Sequence, residues 1–407
     1  MAPGCPVKAL VIGAGIGGLT CAAALRRVGV DVEVYERATE LRAAGSALAV
    51  MSNAATALAT LGIDLGLDKR GQAIESYTVR DFRGRLIKDL PFKEVCDTVG
   101  APSVCLSRPD LQEALLEETG DSPVRLGATA TGFESDGAGV TVRFADGRCA
   151  RGDLLVGADG FDSVVRRHLV GPEASRDSGY VCWLGMVPFR YPHLTPGSVR
   201  HYWGSGQRFG LIDIGHGRYY WWGTKSTTAG SPDWDGAKDT ITKAYTGWAD
   251  EVQAVIEATP QEAIRAVASR DRPFLQRWGE GPVTLVGDAA HPMLTTLAQA
   301  AAMAMEDAVV LAHTLAEPAA RDDLALALRT YEERRRKRTR AMVTESRVLS
   351  DFEQATGPVW GLIRDTCFRL VPRHVLARRF ARALTFPGSP DAGRRVKRRP
   401  SSLARLW

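Results

Sequence analysis

The sequence predicts an α/β protein in which a parallel-sheet unit is interleaved with an antiparallel sheet and followed by C-terminal helices. Three observations carry that expectation. Val7 to Ile12 is an apolar run that enters Gly13-Ala14-Gly15-Ile16-Gly17-Gly18; helical spacing follows to Val28, and a second strand pattern covers Asp31 to Tyr35. From Gly179 to Lys225 come four strand-like segments rich in Trp and Tyr, broken by Pro192, Pro196, Gly204, Gly206, Gly215 and Gly217. From Ala298 onward the apolar spacing is helical almost to Phe352. A chain of 407 residues also exceeds what one hydrophobic core usually organises.

The remaining elements fall between these landmarks. Tyr77 to Arg80 and Arg85 to Leu90 flank the turn Asp81-Phe82-Arg83-Gly84 and read as a hairpin, and Arg108 to Glu118 reads as a helix with Pro109 in its first turn. Strands are expected at Val140 to Phe144 and Asp153 to Val156, the second ending in Gly157-Ala158-Asp159-Gly160. A helical stretch near Thr240 to Ala258 precedes one more apolar strand, Pro282 to Val286, which ends in Gly287-Asp288 and returns the chain to its first unit. The expected division is 1–76, 104–172 and 270–330 for the parallel unit, 77–103 and 173–269 for the antiparallel one, and 331–407 for a helical region with a basic tail. Glu332, Glu333, Arg336 and Lys337 are expected to pair across one helical turn. Trp360 to Leu384 is basic and amphipathic; packing against its own domain is expected, with lying on a membrane surface as the alternative.

Composition narrows the function classes. With 45% hydrophobic and 24% charged residues the chain is globular. The net charge of +5 is concentrated late, in Arg378, Arg379, Arg382, Arg394, Arg395, Lys397, Arg398 and Arg399, with Asp391 nearby. A solvated basic terminus is the simpler reading, so no nucleic-acid function is expected. Cysteines at 5, 21, 96, 105, 149, 182 and 367 show no C-x-x-C spacing, which suits a reducing cytoplasm. The apolar run after Met1 to Pro6 is cut by glycines, a strand and turn rather than a signal peptide, and no apolar stretch is long enough to span a bilayer. Stable membrane association is not expected. Histidines 168, 193, 201, 216, 313 and 374 form no H-x-x-x-H pair, so no metal is expected. Monomer and homodimer both stay open.

The glycine turn is where chemistry enters. Gly13, Gly15 and Gly18, with Ile16 between them as a further candidate contact, fit G-x-G-x-x-G between a strand and a helix expected from Gly17 to Val28, and Glu36 closes the second strand with Arg37 beside it. The first glycine permits the turn, the second lets a pyrophosphate approach backbone N–H groups, and the third allows close helix–strand packing. Glu36 is placed to accept hydrogen bonds from an adenosine ribose. The unit is therefore a Rossmann-type dinucleotide fold, and this turn does not separate NAD from FAD.

Two further turns make that distinction by resemblance. Gly157-Ala158-Asp159-Gly160, running on to Ser163-Val164-Val165-Arg166, resembles the "DG" motif of the class A flavoprotein monooxygenases, the p-hydroxybenzoate hydroxylase-like superfamily. Gly287-Asp288-Ala289-Ala290-His291-Pro292, running on to Glu306-Asp307-Ala308, resembles that family's "GD" motif, and Arg108-Pro109-Asp110-Leu111 is similar to its flavin-approaching arginine segment. By sub-motif the chain looks most similar to the salicylate, urate and zeaxanthin type hydroxylases and epoxidases. The resemblance implies FAD, with NAD(P)H as co-substrate and a flavin C4a-hydroperoxide that hydroxylates or epoxidises a small apolar aromatic or polyunsaturated substrate. It implies cofactor contacts from Arg108, Asp159, supported by Arg166, and Asp288, and a structural place beside the flavin for His291.

Where the family has proline and glycine near the next helix, this chain has Thr295 and Ala300, and a left-handed backbone at Ala300 would cost on the order of 1 to 2 kcal/mol. Thr295 is expected near the reacting flavin carbon. Leu184 stands where relatives carry an arginine, which argues against an anionic substrate. The expected pocket wall is Trp183, Leu184, Tyr202, Trp203, Tyr219 and Trp221, on strands whose alternation also places Phe209, Tyr220 and Trp222. Two alternatives stay open: a flavoprotein oxidase, dehydrogenase or non-redox enzyme of the same fold, and a flavin-free binding protein.

Overall fold

The computed structural model describes residues 7–41, 46–227 and 236–388, so the basic run from Arg394 to Arg399 lies outside the described residues. Five parallel strands form the first sheet, in the order Val283–Leu285, Leu154–Gly157, Lys8–Ile12, Asp31–Tyr35 and Val124–Arg125. Its central strands are near-continuous apolar runs because both faces are covered, by helices and by the three-stranded antiparallel sheet Ala130–Ser135, Val140–Phe144 and Cys149–Gly152, whose Phe144 ring lies 4.7 Å from Tyr35. The first helix, Ile16–Arg27, buries Leu19, Ala22, Ala23 and Leu25 and packs on Ala300–Ala316, a helix buried along most of its length.

The large sheet has seven strands, ordered Ile264–Asp271, Arg176–Pro188, Arg218–Ser226, Gln207–Asp213, Ser198–Trp203, Ser76–Asp81 and Leu86–Asp89. The hairpin Ser76–Asp81 and Leu86–Asp89 joins from far earlier in the chain, and its first strand runs parallel to Ser198–Trp203 while the other pairings are antiparallel. One face of this sheet packs on the helix Asp250–Ala258 around Trp183, Tyr202, Phe209, Trp221 and Tyr245. The other face meets the core of the parallel unit.

Several helical stretches are broken where the sequence carries a breaker. Residues 240–258 divide into Lys238–Ala244 and Asp250–Ala258, with Gly247 at φ +78° between them. The stretch from Ala298 divides into Ala300–Ala316 and Leu324–Glu353, separated by the turn Pro318–Arg321. Residues 360–384 divide into Pro358–Leu370 and Arg373–Leu384, with Pro372 as the N-cap of the second. The boundary expected between 330 and 331 falls inside Leu324–Glu353, where the buried Tyr331 donates its hydroxyl hydrogen to the Leu285 carbonyl at 3.1 Å. Nor do the charges expected to pair there do so: Glu332 is buried, accepting from Thr284 and Arg329, and Arg336 donates to the Gln276 carbonyl.

That 30-residue helix is about 45 Å long and touches both sheets. Tyr331 and Glu332 hold the parallel sheet; Arg347 pairs with Asp271, Ser350 with Tyr180, and Glu353 with Arg208 on the large sheet. No helix among the described residues is long and apolar enough to cross a membrane.

Candidate functional site

The glycine turn sits where two parallel strands end side by side. Gly13 has φ +103°, and a Cβ there would lie 2.5 Å from the Ala158 carbonyl oxygen; a Cβ on Gly18 would overlap the Gly13 carbonyl. These two positions are closed by protein. Gly15 is different, since a Cβ there would meet no heavy atom within 4 Å. It is also the N-cap of Ile16–Arg27, which has neither a side-chain cap nor an acid in its first turn. Free helix N–H groups facing open space fit a pyrophosphate.

Glu36 accepts from Ala14 N at 2.8 Å and Ala38 N at 2.9 Å, which fixes the carboxylate over the turn and leaves lone pairs for a ribose hydroxyl. Arg37 is exposed beside it and has no ion-pair partner among the described residues. Arg108 opens the helix Arg108–Thr119 behind the Ser107 cap, with its side chain in solvent. Asp288 lies in the turn Gly287–Ala289, solvent-accessible but recessed among protein atoms, with no hydrogen-bond partner among the described residues. Loss of water raises its carboxyl pKa, while His291 and Arg108 oppose the rise.

Asp159 turns inward. It accepts from Ser163 Oγ at 2.5 Å and Val164 N at 2.7 Å, capping the helix Val164–Val170, and burial raises its pKa against those bonds. Arg166 does not pair with it, contrary to expectation. The guanidinium is 2.6 Å from Glu173 and donates to the Ala289 and Ala290 carbonyls at 3.1 Å each, so it braces the turn that carries Asp288.

Beneath that turn lies a buried charge network that sequence reading missed. Asp307 accepts from Gly287 N at 2.9 Å, from His291 Nε2 at 2.6 Å and from Arg335 Nε at 2.7 Å. Burial alone would raise its pKa, but His291 and Arg335 hold it down at about 2. Glu306 is gripped by Arg335 and Arg338 and by the Asn53 amide, which also bonds Gln299 at the start of Glu306's own helix, Ala300–Ala316. His291 is fully buried against Asp307 and Trp278, consistent with a structural place.

The turn into that helix also differs from expectation. The left-handed residue is Ala298, at φ +50°, whereas Ala300 is the first residue of Ala300–Ala316 in right-handed backbone. The strain assigned to Ala300 thus belongs two residues earlier. Thr295 is exposed at the start of the turn, and the buried Thr296 hydroxyl has no partner. The helix has no side-chain cap and no acid in its first turn, so its N–H groups and positive dipole end are free.

The aromatic sheet has two faces, and the structure divides the expected wall between them. Trp183, Tyr202, Tyr219 and Trp221 lie in the core under Asp250–Ala258, on the side away from the glycine turn. Trp203 is on the other face but is covered by Phe368 and Phe352, with ring centroids 4.9 and 5.9 Å away. Of the six expected wall residues only Leu184 is a partly exposed side chain on the face toward the parallel unit, beside Met186, Ile212 and Trp222, with Tyr220 buried among them.

Comparison with known proteins agrees with this geometry. Residues 6–346 match the family described as FAD binding domain. The chain is 36% identical over 381 residues to the aurachin C monooxygenase/isomerase of Stigmatella aurantiaca, covering 93% of this chain and 97% of that one. It is 35% identical to the FAD-dependent urate hydroxylase of Klebsiella pneumoniae, covering 85% and 90%. The chain belongs to the class A FAD-dependent monooxygenases. The crystal structure of Klebsiella pneumoniae HpxO complexed with FAD and uric acid superimposes on this monooxygenase with a TM-score of 0.85 at 31% identity, covering 93% and 96%.

The structure links three of these elements by contact: Glu36 bonds the glycine turn, and Gly17 and Gly287 both approach Ala304 of the helix Ala300–Ala316. Strand parity was the available signal for the wall: Trp183 and Leu184 are neighbours and cannot share a face. The network around Asp307 gave no such signal, because Arg335 and Arg338 stand in a run of charges that reads as a solvated helix.

Proposed function

We propose that this monooxygenase uses NAD(P)H, a co-substrate typical of its family, and dioxygen to hydroxylate or epoxidise a small, neutral, apolar aromatic or polyunsaturated substrate. The observation that carries the reading is the apolar face formed by the partly exposed Leu184, Met186, Ile212 and Trp222 around the buried Tyr220, on the side of the large sheet that meets the parallel unit. Two of its three strands send Arg208 and Arg218 to this face, but both are neutralised: Arg208 by Glu353 at 2.5 Å and Arg218 by Asp110 at 2.8 Å. With its cations already paired, the wall offers little to a carboxylate.

Bound FAD supplies the electron transfer and oxygen activation. The chain supplies position and charge. Gly15 and the first turn of Ile16–Arg27 take the pyrophosphate, Glu36 the adenosine ribose, and Asp288 a hydroxyl of the ribityl chain. The free N-terminus of Ala300–Ala316 stabilises negative charge on the pyrimidine ring, where backbone donors do not reorganise. Arg108 balances Asp288, Asp159 caps Val164–Val170, and Arg166 holds the Asp288 turn in place. The wall excludes water and orients the substrate.

The relatives' names include a urate hydroxylase and a zeaxanthin epoxidase, so both reaction types occur among similar chains. The reading as an oxidase or non-redox enzyme rested partly on a strained Ala300, and that residue sits in ordinary helical backbone. The test is oxidation of NADH and of NADPH by the FAD-loaded protein with neutral aromatics, polyenes and carboxylated aromatics. The expected result is turnover stimulated by a neutral apolar substrate, with one atom from labelled dioxygen in the product. Peroxide release without labelled product, or faster turnover of the carboxylated compounds, overturns the proposal.

A further inference from the structure

The helix Pro358–Leu370 carries its apolar side outward. Val359, Trp360, Leu362, Ile363 and Leu370 are 67%, 64%, 70%, 43% and 75% exposed. Positions 359, 363 and 370 fall on one line of the helix, with 362 and 360 on either flank, so the five make one continuous face. The opposite side holds the helix down. Arg364 is buried and donates to the Gly204 and Glu353 carbonyls at 2.9 and 2.8 Å, and Phe368 packs on Trp203. A lone exposed leucine is ordinary on a soluble protein, but a whole helix face of this kind is not.

The surroundings of that face are basic. Arg369 is exposed and has no ion-pair partner among the described residues. The next helix, Arg373–Leu384, buries Leu376 and Leu384 and sets Val375, Arg378, Arg379 and Arg382 on its solvent side at helical spacing. The acids nearby are engaged: Asp365 by Arg364, Asp89 and Glu94 by Arg373, and Glu345 lies 3.9 Å from Arg382. Beyond residue 388 the sequence adds Arg394, Arg395, Lys397, Arg398, Arg399 and Arg405 against Asp391.

We propose that residues 358–384 form a reversible docking surface for an anionic lipid membrane. Val359, Trp360, Leu362, Ile363 and Leu370 enter the boundary between headgroups and acyl chains, and Arg369, Arg378, Arg379 and Arg382 meet lipid phosphates. This is attachment in the plane of the interface, not a span. A second copy of the chain fits the surface less well, because a two-fold contact would set one basic strip against another. The inference does not depend on the substrate reading.

The test uses the full-length, FAD-loaded protein and sedimentation with vesicles of phosphatidylglycerol and phosphatidylcholine, against phosphatidylcholine alone. The wild type is expected to bind the anionic vesicles and to be released by salt. Substituting Trp360→Ser, Leu362→Ser and Leu370→Ser together lowers partitioning on the order of 100-fold. Arg378→Gln with Arg382→Gln lowers it roughly 30-fold at low salt. The substituted Trp, Leu and Arg side chains are solvent-exposed, so FAD content and thermal midpoint should stay at wild-type values. Equal binding to neutral and anionic vesicles, or undiminished binding by the triple variant, overturns the proposal. So does a wild-type dimer that becomes a monomer in the triple variant without any vesicle binding, which assigns the face to a second copy.

Discussion

Two glycines of one motif lack a side chain for different reasons. At Gly18 the space is taken by the Gly13 carbonyl, and at Gly15 it is open. Gly15→Ala should therefore leave the apoprotein as stable as the wild type, or more so by about 0.4–1 kcal/mol, since its φ of −73° suits alanine. FAD affinity should fall at least tenfold, whereas Gly18→Ala should yield little folded protein; unchanged FAD affinity in the first variant sinks the assignment. Ala298, at φ +50°, predicts the reverse: Ala298→Gly should stabilise the fold by about 1 kcal/mol in chemical denaturation, and Ala300→Gly should not. Asp307 gives a pH test. Its pKa is depressed to about 2 from 3.8, so its contribution is complete above pH 4 and is lost as pH falls through 2. That difference is worth about 2 kcal/mol. The stability gap between the wild type and Asp307→Asn, expected at about 3–5 kcal/mol near neutrality, should narrow by that amount as pH falls from 5 toward 2. Glu36 and Asp288 were legible because each ends a strand beside a glycine turn; Asp307 was not, because a buried carboxylate is defined by partners about 20 and 28 residues away.

At the scale of elements, local punctuation was legible and facing was not. Gly247 and Pro372 stand in plain sight, and each ends a helix that apolar spacing alone would have continued. The strand Arg218–Ser226 shows the harder problem. Its alternation is evident from Tyr219, Tyr220, Trp221 and Trp222, yet both of its faces are apolar, so sequence cannot say which one looks toward the parallel unit. The structure sends Trp221 into the core with Phe209 at 5.4 Å and leaves Trp222 on the face toward the parallel unit, the proposed substrate side. Trp221→Ala should cost about 3–5 kcal/mol of stability while the folded fraction keeps its KM. Trp222→Ala should raise KM roughly tenfold or more with a smaller loss of stability. Steady-state kinetics on both variants, normalised to flavin content, decide the matter, and a KM effect confined to Trp221→Ala would place the substrate on the other face. The outward-facing helix Pro358–Leu370 carries the same lesson, since an amphipathic pattern announces two faces and leaves open what covers either.

The whole molecule joins segments that are far apart in sequence, and this part of the fold was only half legible. The turns at Gly13, Asp159 and Asp288 announce themselves because each ends a parallel strand in a glycine-bearing turn, so their place in one dinucleotide-binding unit can be read without coordinates. The parallel pairing of Ser76–Asp81 with Ser198–Trp203 carries no local signature, and neither does the span of Leu324–Glu353 across both sheets. That helix couples the two units mechanically: Tyr331 and Glu332 hold one end to the parallel sheet, and Arg347, Ser350 and Glu353 hold the other to the large sheet. FAD contacts come mainly from the parallel unit, but unfolding the large sheet would strip the far half of the helix of its partners. One cooperative thermal transition is therefore expected, and since FAD binds only the folded chain, its midpoint should climb with the logarithm of free FAD. At 100 times the dissociation constant the gain is about 2.7 kcal/mol. Calorimetry across an FAD titration, read beside the near-ultraviolet signal of the tryptophan-rich large sheet, tests the coupling. If the sheet's signal melts at a temperature that ignores FAD while the flavin-side transition moves, the helix does not transmit binding energy between the units.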